Sequence, residues 1–200
     1  MRCVITGHRT SGLNNGMDNK NLLECPFYYE IANILRKYAL TEIHRIQSEG
    51  KGEKFIMITG MASGIDTVWG LMAKKLKLEF PDIVELECYI PFRNHKPKNT
   101  YNRKKYEAIT AAADIVHMVC DEDYEKDGIK RPWLLTNRNH VMVDSMTDEQ
   151  DVLVAVFYDN GSKKGGTREC INYGKKHHKQ IMILEPYTHE ITWENRKDIK

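Results

Sequence analysis

The 200-residue sequence predicts an α/β protein, a single Rossmann-like three-layer domain with a mainly parallel sheet. Three observations predict it. Short apolar runs alternate with longer amphipathic stretches, as in right-handed β–α–β crossovers. Several runs are apolar at consecutive positions, the pattern of strands covered on both faces. The runs also end in glycine-containing or basic loops, the places where doubly wound sheets hold their ligands.

Strands are expected at 3–6, 55–59, 84–90, 115–119, 152–157 and 180–184, and helices at 26–47, 65–77, 101–113, 134–145 and 167–177. In the first helix Ile31, Ile34, Leu35, Tyr38 and Ile46 recur at helical spacing, which marks one apolar face. Two segments break the rhythm, a basic loop over 91–100 and a charged loop over 121–132. Residues 1–185 read as one domain, and 186–200 as a polar tail with Trp193 as its anchor. There is no internal repeat or low-complexity tract.

Composition narrows the class. A net charge of +2 is too mild to argue for nucleic acid by itself, although basic residues cluster at 93–105 and 175–179. The five cysteines form no C-x-x-C pair, and three lie in strand-like runs. Buried free thiols in a reducing compartment are therefore expected, with neither disulfides nor a metal site. No apolar run reaches the roughly 18 residues of a membrane span, and Met1-Arg2-Cys3-Val4 enters a strand directly, so a cytoplasmic protein is expected.

Anion-binding chemistry is expected at three strand ends. The last is the richest: Ala155–Phe157 stops at a polar loop that closes with Gly165-Gly166-Thr167 before a helix. Glycines there let the backbone approach a ligand, and the helix start offers unpaired N–H groups to an anion, most simply a phosphate. The first strand ends in Thr6-Gly7-His8-Arg9-Thr10, where Arg9 can grip a phosphate and His8 lines the turn. This is not a G-x-G-x-x-G fingerprint, so a nicotinamide cofactor is not expected, and no other cofactor is indicated. The second strand ends in Thr59-Gly60-Met61-Ala62-Ser63-Gly64-Ile65-Asp66, a second nest of N–H groups. Asp66 could accept from a ribose hydroxyl; equally, Ser63 or Asp66 could cap the helix. After the third strand, Pro91-Phe92-Arg93-Asn94-His95-Lys96-Pro97, with Tyr101 beyond it, combines aromatic and basic residues suited to stacking on a base. The alternative is a solvated basic loop. His177-His178 reads as charge that complements a helix C-terminus, since adjacent helical residues face different ways.

The stretch Gly60-Met61-Ala62-Ser63-Gly64-Ile65-Asp66 resembles the S-G-x-A-x-G-I-D stretch of DprA-type DNA-processing proteins. Residues 134–144, then 152–158, then Gly165-Gly166-Thr167 resemble the YpsA branch of the SLOG superfamily, which also contains the Lonely-guy (LOG) phosphoribohydrolases. The resemblance covers residues 2 to about 185 and implies a nucleotide-binding domain and a homo-oligomer; the lack of a long apolar run carries the expectation of no membrane association. LOG proteins pair an R-K-x-x-M helix with G-G-x-G-T-x-x-E. Arg138-Asn139-His140-Val141-Met142 matches the first pattern except for Asn139, and the resemblance assigns Arg138 and Glu169 catalytic roles on an N-glycosidic bond. Glu169, however, follows Thr167 by two residues instead of three, which turns its side chain about 100° around the helix. Cys170 stands at the family's carboxylate position.

The expected function is binding of a nucleotide or nucleotide-derived phosphate ligand at the strand ends. Gly7, Gly60, Gly64, Gly165, Gly166 and Thr167 would shape the pocket, Arg9 and Arg138 neutralise phosphate, and Asp66 contact ribose. Two alternatives stand beside it: hydrolysis of nucleoside 5′-monophosphates by Arg138 and Glu169, and DprA-like binding of single-stranded DNA through the basic clusters.

Overall fold

The computed structural model describes residues 1–9, 25–97, 100–126, 128–162 and 164–197. Thr10, the side chain of Tyr101, Lys98 of the basic loop over 91–100 and Lys163 of the loop before Gly165 lie outside the described residues.

Seven strands form one sheet in the order β4-β3-β2-β1-β7-β8-β9: β1 (Arg2–Gly7), β2 (Phe55–Thr59), β3 (Val84–Ile90), β4 (Ile115–Met118), β7 (Val152–Val156), β8 (Gln180–Leu184) and β9 (Ile191–Glu194). All neighbours are parallel except β8 and β9. Their side chains alternate between two apolar layers. Cys3, Ile5, Met57, Leu86 and Val154 face one core and Val4, Ile58, Leu153, Ala155 and Ile181 the other, so strands buried on both faces read as unbroken apolar runs.

Helices α1 (Pro26–Glu49), α2 (Ile65–Glu79) and α3 (Thr100–Thr110) supply the first core, and α4 (Trp133–Asp144) and α5 (Gly166–Lys176) the second. In α1, Tyr28, Ile31, Leu35, Ala39, Ile43 and Ile46 form the buried stripe, and burying each large side chain contributes on the order of 1.5–3 kcal/mol. Pro26 opens this helix and Gly50, at φ +61°, closes it in the left-handed region.

The three-layer α/β expectation is met, and the six expected strands and five expected helices form within a few residues of their expected bounds. Two features were not expected. The segment read as a polar tail contributes β9, whose Trp193 lies opposite Met182 and packs edge-on to Tyr38, 6.5 Å between ring centroids. A turn at Glu185–Glu190 reverses the chain, with Glu185 Oε2 accepting from the Tyr187 N–H at 2.8 Å. The charged loop after β4 contains a two-residue hairpin, β5 (Glu125–Lys126) with β6 (Ile129–Lys130).

The topology fixes where a ligand can sit. From β1 the chain winds outward through β2, β3 and β4, then returns to lay β7 and β8 on the other side of β1. The connections leave β1 and β7 in opposite directions, so a crevice opens beyond their carboxyl ends.

Candidate functional site

A cleft of about 430 Å³ lies at that reversal point. Its walls come from the turn after β1 (Gly7, His8, Arg9), the loop after β2 (Ala62, Asp66), helix α4 (Leu135, Arg138, Asn139) and the segment Asn160–Arg168 that starts α5. Residues 7, 62, 66 and 165–167, far apart in sequence, thus share one rim.

The start of α5 is the chemically distinctive wall. Gly165, at φ +145° and ψ 143°, precedes the helix in a conformation that side chains rarely adopt, and among the described residues no side chain caps this end. Amide hydrogens at the beginning of an α-helix have no intrahelical acceptor, and those of Gly166, Thr167 and Arg168 belong to residues lining the cleft. Around them stand Arg9, Lys164 and Arg168, while Asp66 is the one carboxylate among the described lining residues. Arg168 is partly committed: it pairs with Asp159 and lies over the Phe157 ring, 4.8 Å from its centroid. His8 also stacks on the Phe157 ring, 5.3 Å between centroids, and its Nε2 donates to the Tyr158 carbonyl at 3.1 Å. Burial holds the His8 imidazole below its ordinary pKa, and nearby Arg168 adds to this.

The floor of the cleft is a buried polar cluster. Arg138 is only 7% exposed, with Nη1 donating to the Gly60 carbonyl, Nε donating to Asn139 Oδ1 at 3.0 Å, and Asp66 Oδ2 3.7 Å away. Asp66 Oδ2 also accepts from the Ala62 N–H at 3.2 Å. Burial raises the Asp66 pKa against the pull of Arg138 and lowers that of Arg138 against the pull of Asp66, as expected for a pair removed from water. Arg138 therefore serves first as the clamp on the loop after β2.

This geometry revises several expected roles. Gly60 is required for packing: a Cβ there would fall 2.4 Å from Arg138 Nη1. Gly7 is likewise packed, with a Cβ falling 2.5 Å from the Ile65 Cβ. Gly64, at φ +92°, turns the chain into α2, and Ser63 lines a smaller pocket with Thr67 and Tyr106 instead of the cleft. Arg9, His8, Asp66, Arg138, Gly165, Gly166 and Thr167 all line the cleft. Glu169 does not. It faces a neighbouring groove between α4 and α5, where it pairs with His140 Nε2, and His140 stacks on Tyr173 at 3.8 Å and 13°. The two-residue offset from Thr167 carries its carboxylate away from the site where the LOG resemblance would place it, and Cys170, at the equivalent position, is fully buried with its thiol pushed up to about 12 by burial.

Lys164, Arg168 and Phe157 line the cleft and were not singled out as site residues; Asn139, which with Asn137 could read a base or ribose or be an ordinary polar residue of the helix face, lines it as well. Lys164 and Arg168 flank the Gly-Gly-Thr turn directly, which was the available signal. The basic loop after β3 is docked. Arg93 holds Asp121 bidentately, at 3.0 and 2.5 Å, and Asn94 donates to Asp123 at 2.9 Å. The pairing pulls the Asp121 carboxyl below its usual range. His95 packs against Phe92 and Tyr106, and burial, with Arg138 nearby, depresses its pKa to about 4. In the second basic cluster Lys175 pairs with Glu194 at 2.6 Å and Lys179 donates to the Met146 carbonyl. Arg93, Lys175 and Lys179 are thus engaged within the fold. All five cysteines are free thiols, four of them buried, and among the described residues no helix is long and apolar enough to cross a membrane.

A family model named YpsA and described as the YspA SLOG family matches residues 3–189. The chain is also similar to an uncharacterized SPbeta prophage-derived protein, YoqJ, of Bacillus subtilis (strain 168), at 30% identity over 132 residues, 63% of this chain and 72% of that protein. The family match spans β1 to the turn before β9, and so includes every wall of the cleft.

Proposed function

We propose that this chain, which belongs to the YpsA family of SLOG proteins, binds a nucleotide or nucleotide-derived phosphate ligand in the cleft beyond β1, β2 and β7. One observation carries the reading: the uncapped start of α5 and the cations Arg9 and Lys164, neither in an ion pair among the described residues, face a single cleft at the strand-order reversal. A phosphate seated on the amides of Gly166 and Thr167 satisfies helix-end donors, takes the favourable end of the helix dipole, and is neutralised by Lys164 and Arg9. Asp66, the cleft's strong acceptor, suits a ribose hydroxyl. The cleft volume falls within the roughly 300–1,000 Å³ usual for small-molecule sites.

Thermal shift against a panel of mono-, di- and cyclic nucleotides tests the reading. At 100 times Kd, a bound nucleotide contributes about 2.7 kcal/mol, or roughly 5–10 °C for a chain of this size. A flat response to the whole panel overturns the proposal. A response to single-stranded oligonucleotides alone, falling steeply with salt, replaces it with the DNA reading.

A further inference from the structure

We propose that Asn139 is a positioning residue that fastens the two walls of the cleft together, tying the Gly60–Asp66 loop to the first turn of α5 by way of Arg138. Helix α4 turns two adjacent polar side chains, Arg138 and Asn139, inward between the buried Leu134 and Met142. Both ends of the Asn139 amide are used. Its Oδ1 accepts from Arg138 Nε at 3.0 Å, and its Nδ2 donates to the Gly166 carbonyl at 3.2 Å. Arg138 continues the path to the Gly60 carbonyl and to Asp66 Oδ2, which holds the Ala62 N–H. An unbroken run of polar contacts thus joins residue 60 to residue 166 beneath the cleft.

Only a side chain with one acceptor and one donor on the same short stem closes this path. Aspartate keeps the acceptor and loses the donor. Lysine, which stands at this position in the R-K-x-x-M pattern that the helix resembles, offers donors only and cannot accept from Arg138. Asparagine at 139 therefore makes the α5 turn and the β2 loop move as one body, and an anion that fixes the turn also quiets the loop across the cleft. This last consequence rests on the ligand reading above; the fastening itself does not.

Amide hydrogen exchange of the full chain, followed by mass spectrometry with and without inorganic phosphate or adenosine 5′-monophosphate, tests it. In the ligand-free protein, Asn139→Asp is expected to speed exchange about fivefold, the change for one lost hydrogen bond, in both the 60–66 and the 165–170 peptides. Asn137→Asp, outside the cleft, leaves both unchanged. With phosphate bound, both peptides slow in the wild type and only 165–170 slows in the variant. Faster exchange confined to 165–170, or wild-type rates in both peptides, overturns the proposal. Asn139→Ala, which has neither donor nor acceptor, is expected to speed exchange in both peptides as well and decides the matter if Asn139→Asp does not fold. If neither probe binds the wild type, the ligand reading fails for these anions, while the ligand-free comparison still decides the role of Asn139.

Discussion

Replacing Gly60 with alanine inserts a single methyl group into the most tightly arranged part of the cleft floor. Its carbon would lie 2.4 Å from Arg138 Nη1, 2.6 Å from Cζ and 2.9 Å from Nε, where nonbonded heavy atoms prefer about 3.5–4.0 Å. The guanidinium has no easy retreat: it is buried and held by the Gly60 carbonyl, Asn139 and Asp66. Displacing it leaves the Asp66 carboxylate buried without its cation, and breaking a buried pair in this way costs about 3–5 kcal/mol. For a chain of this length the melting temperature should fall by roughly 6–20 °C. Circular dichroism melts of Gly60→Ala against wild type measure it. Gly50→Ala serves as the reference, since Gly50 has open space around it and only its φ of +61° to lose, a cost of about 1–2 kcal/mol. The clash requires the arginine, so Gly60→Ala added to Arg138→Met should lower stability little further, a coupling of up to about 3 kcal/mol. A Gly60→Ala protein melting within a degree or two of wild type, or losses that simply add in the double variant, would refute this account of the cleft floor.

Three further outcomes are expected. His95 has a folded-state pKa near 4 against an ordinary 6.5, so the unfolded chain takes up its proton first as pH falls. Stability present above pH 6.5 is therefore lost progressively toward pH 4, by up to about 3 kcal/mol, and His95→Gln should flatten that part of a pH series of urea melts; an unchanged slope rules the assignment out. Lys164→Ala and Arg9→Ala should each weaken binding of a nucleoside 5′-monophosphate about tenfold in calorimetric titrations, and wild-type affinity in both would remove them from the phosphate site. Glu169→Gln should leave that affinity within about twofold, because its carboxylate faces the α4–α5 groove with His140; a large loss would return Glu169 to the ligand.

The sheet was legible because parallel strands buried on both faces write themselves as uninterrupted apolar runs, and the cleft's main walls because glycines mark the turns after them. What sequence concealed was which glycines meet a ligand and which meet protein. Gly60 and Gly165 look alike in the chain, yet one makes room for Arg138 and the other shapes an open helix end. A cue to the first was present: Leu134, Arg138 and Met142 recur every four residues, which puts the arginine on the apolar stripe of α4. The neutralisation of the Arg93 loop by Asp121 and Asp123 depends on two loops meeting across adjacent strand ends, a long-range fact that local charge counting cannot register. The four residues of β9 sat in a polar context and gain their strand partner only from β8.

The most direct test of the phosphate site is an amide NMR titration of the wild-type protein with a nucleoside 5′-monophosphate. The account predicts that the largest shifts fall on the N–H groups of Gly166, Thr167 and Arg168, with smaller ones at Arg9 and Ala62. Saturable binding whose shifts leave those three amides unmoved would contradict it.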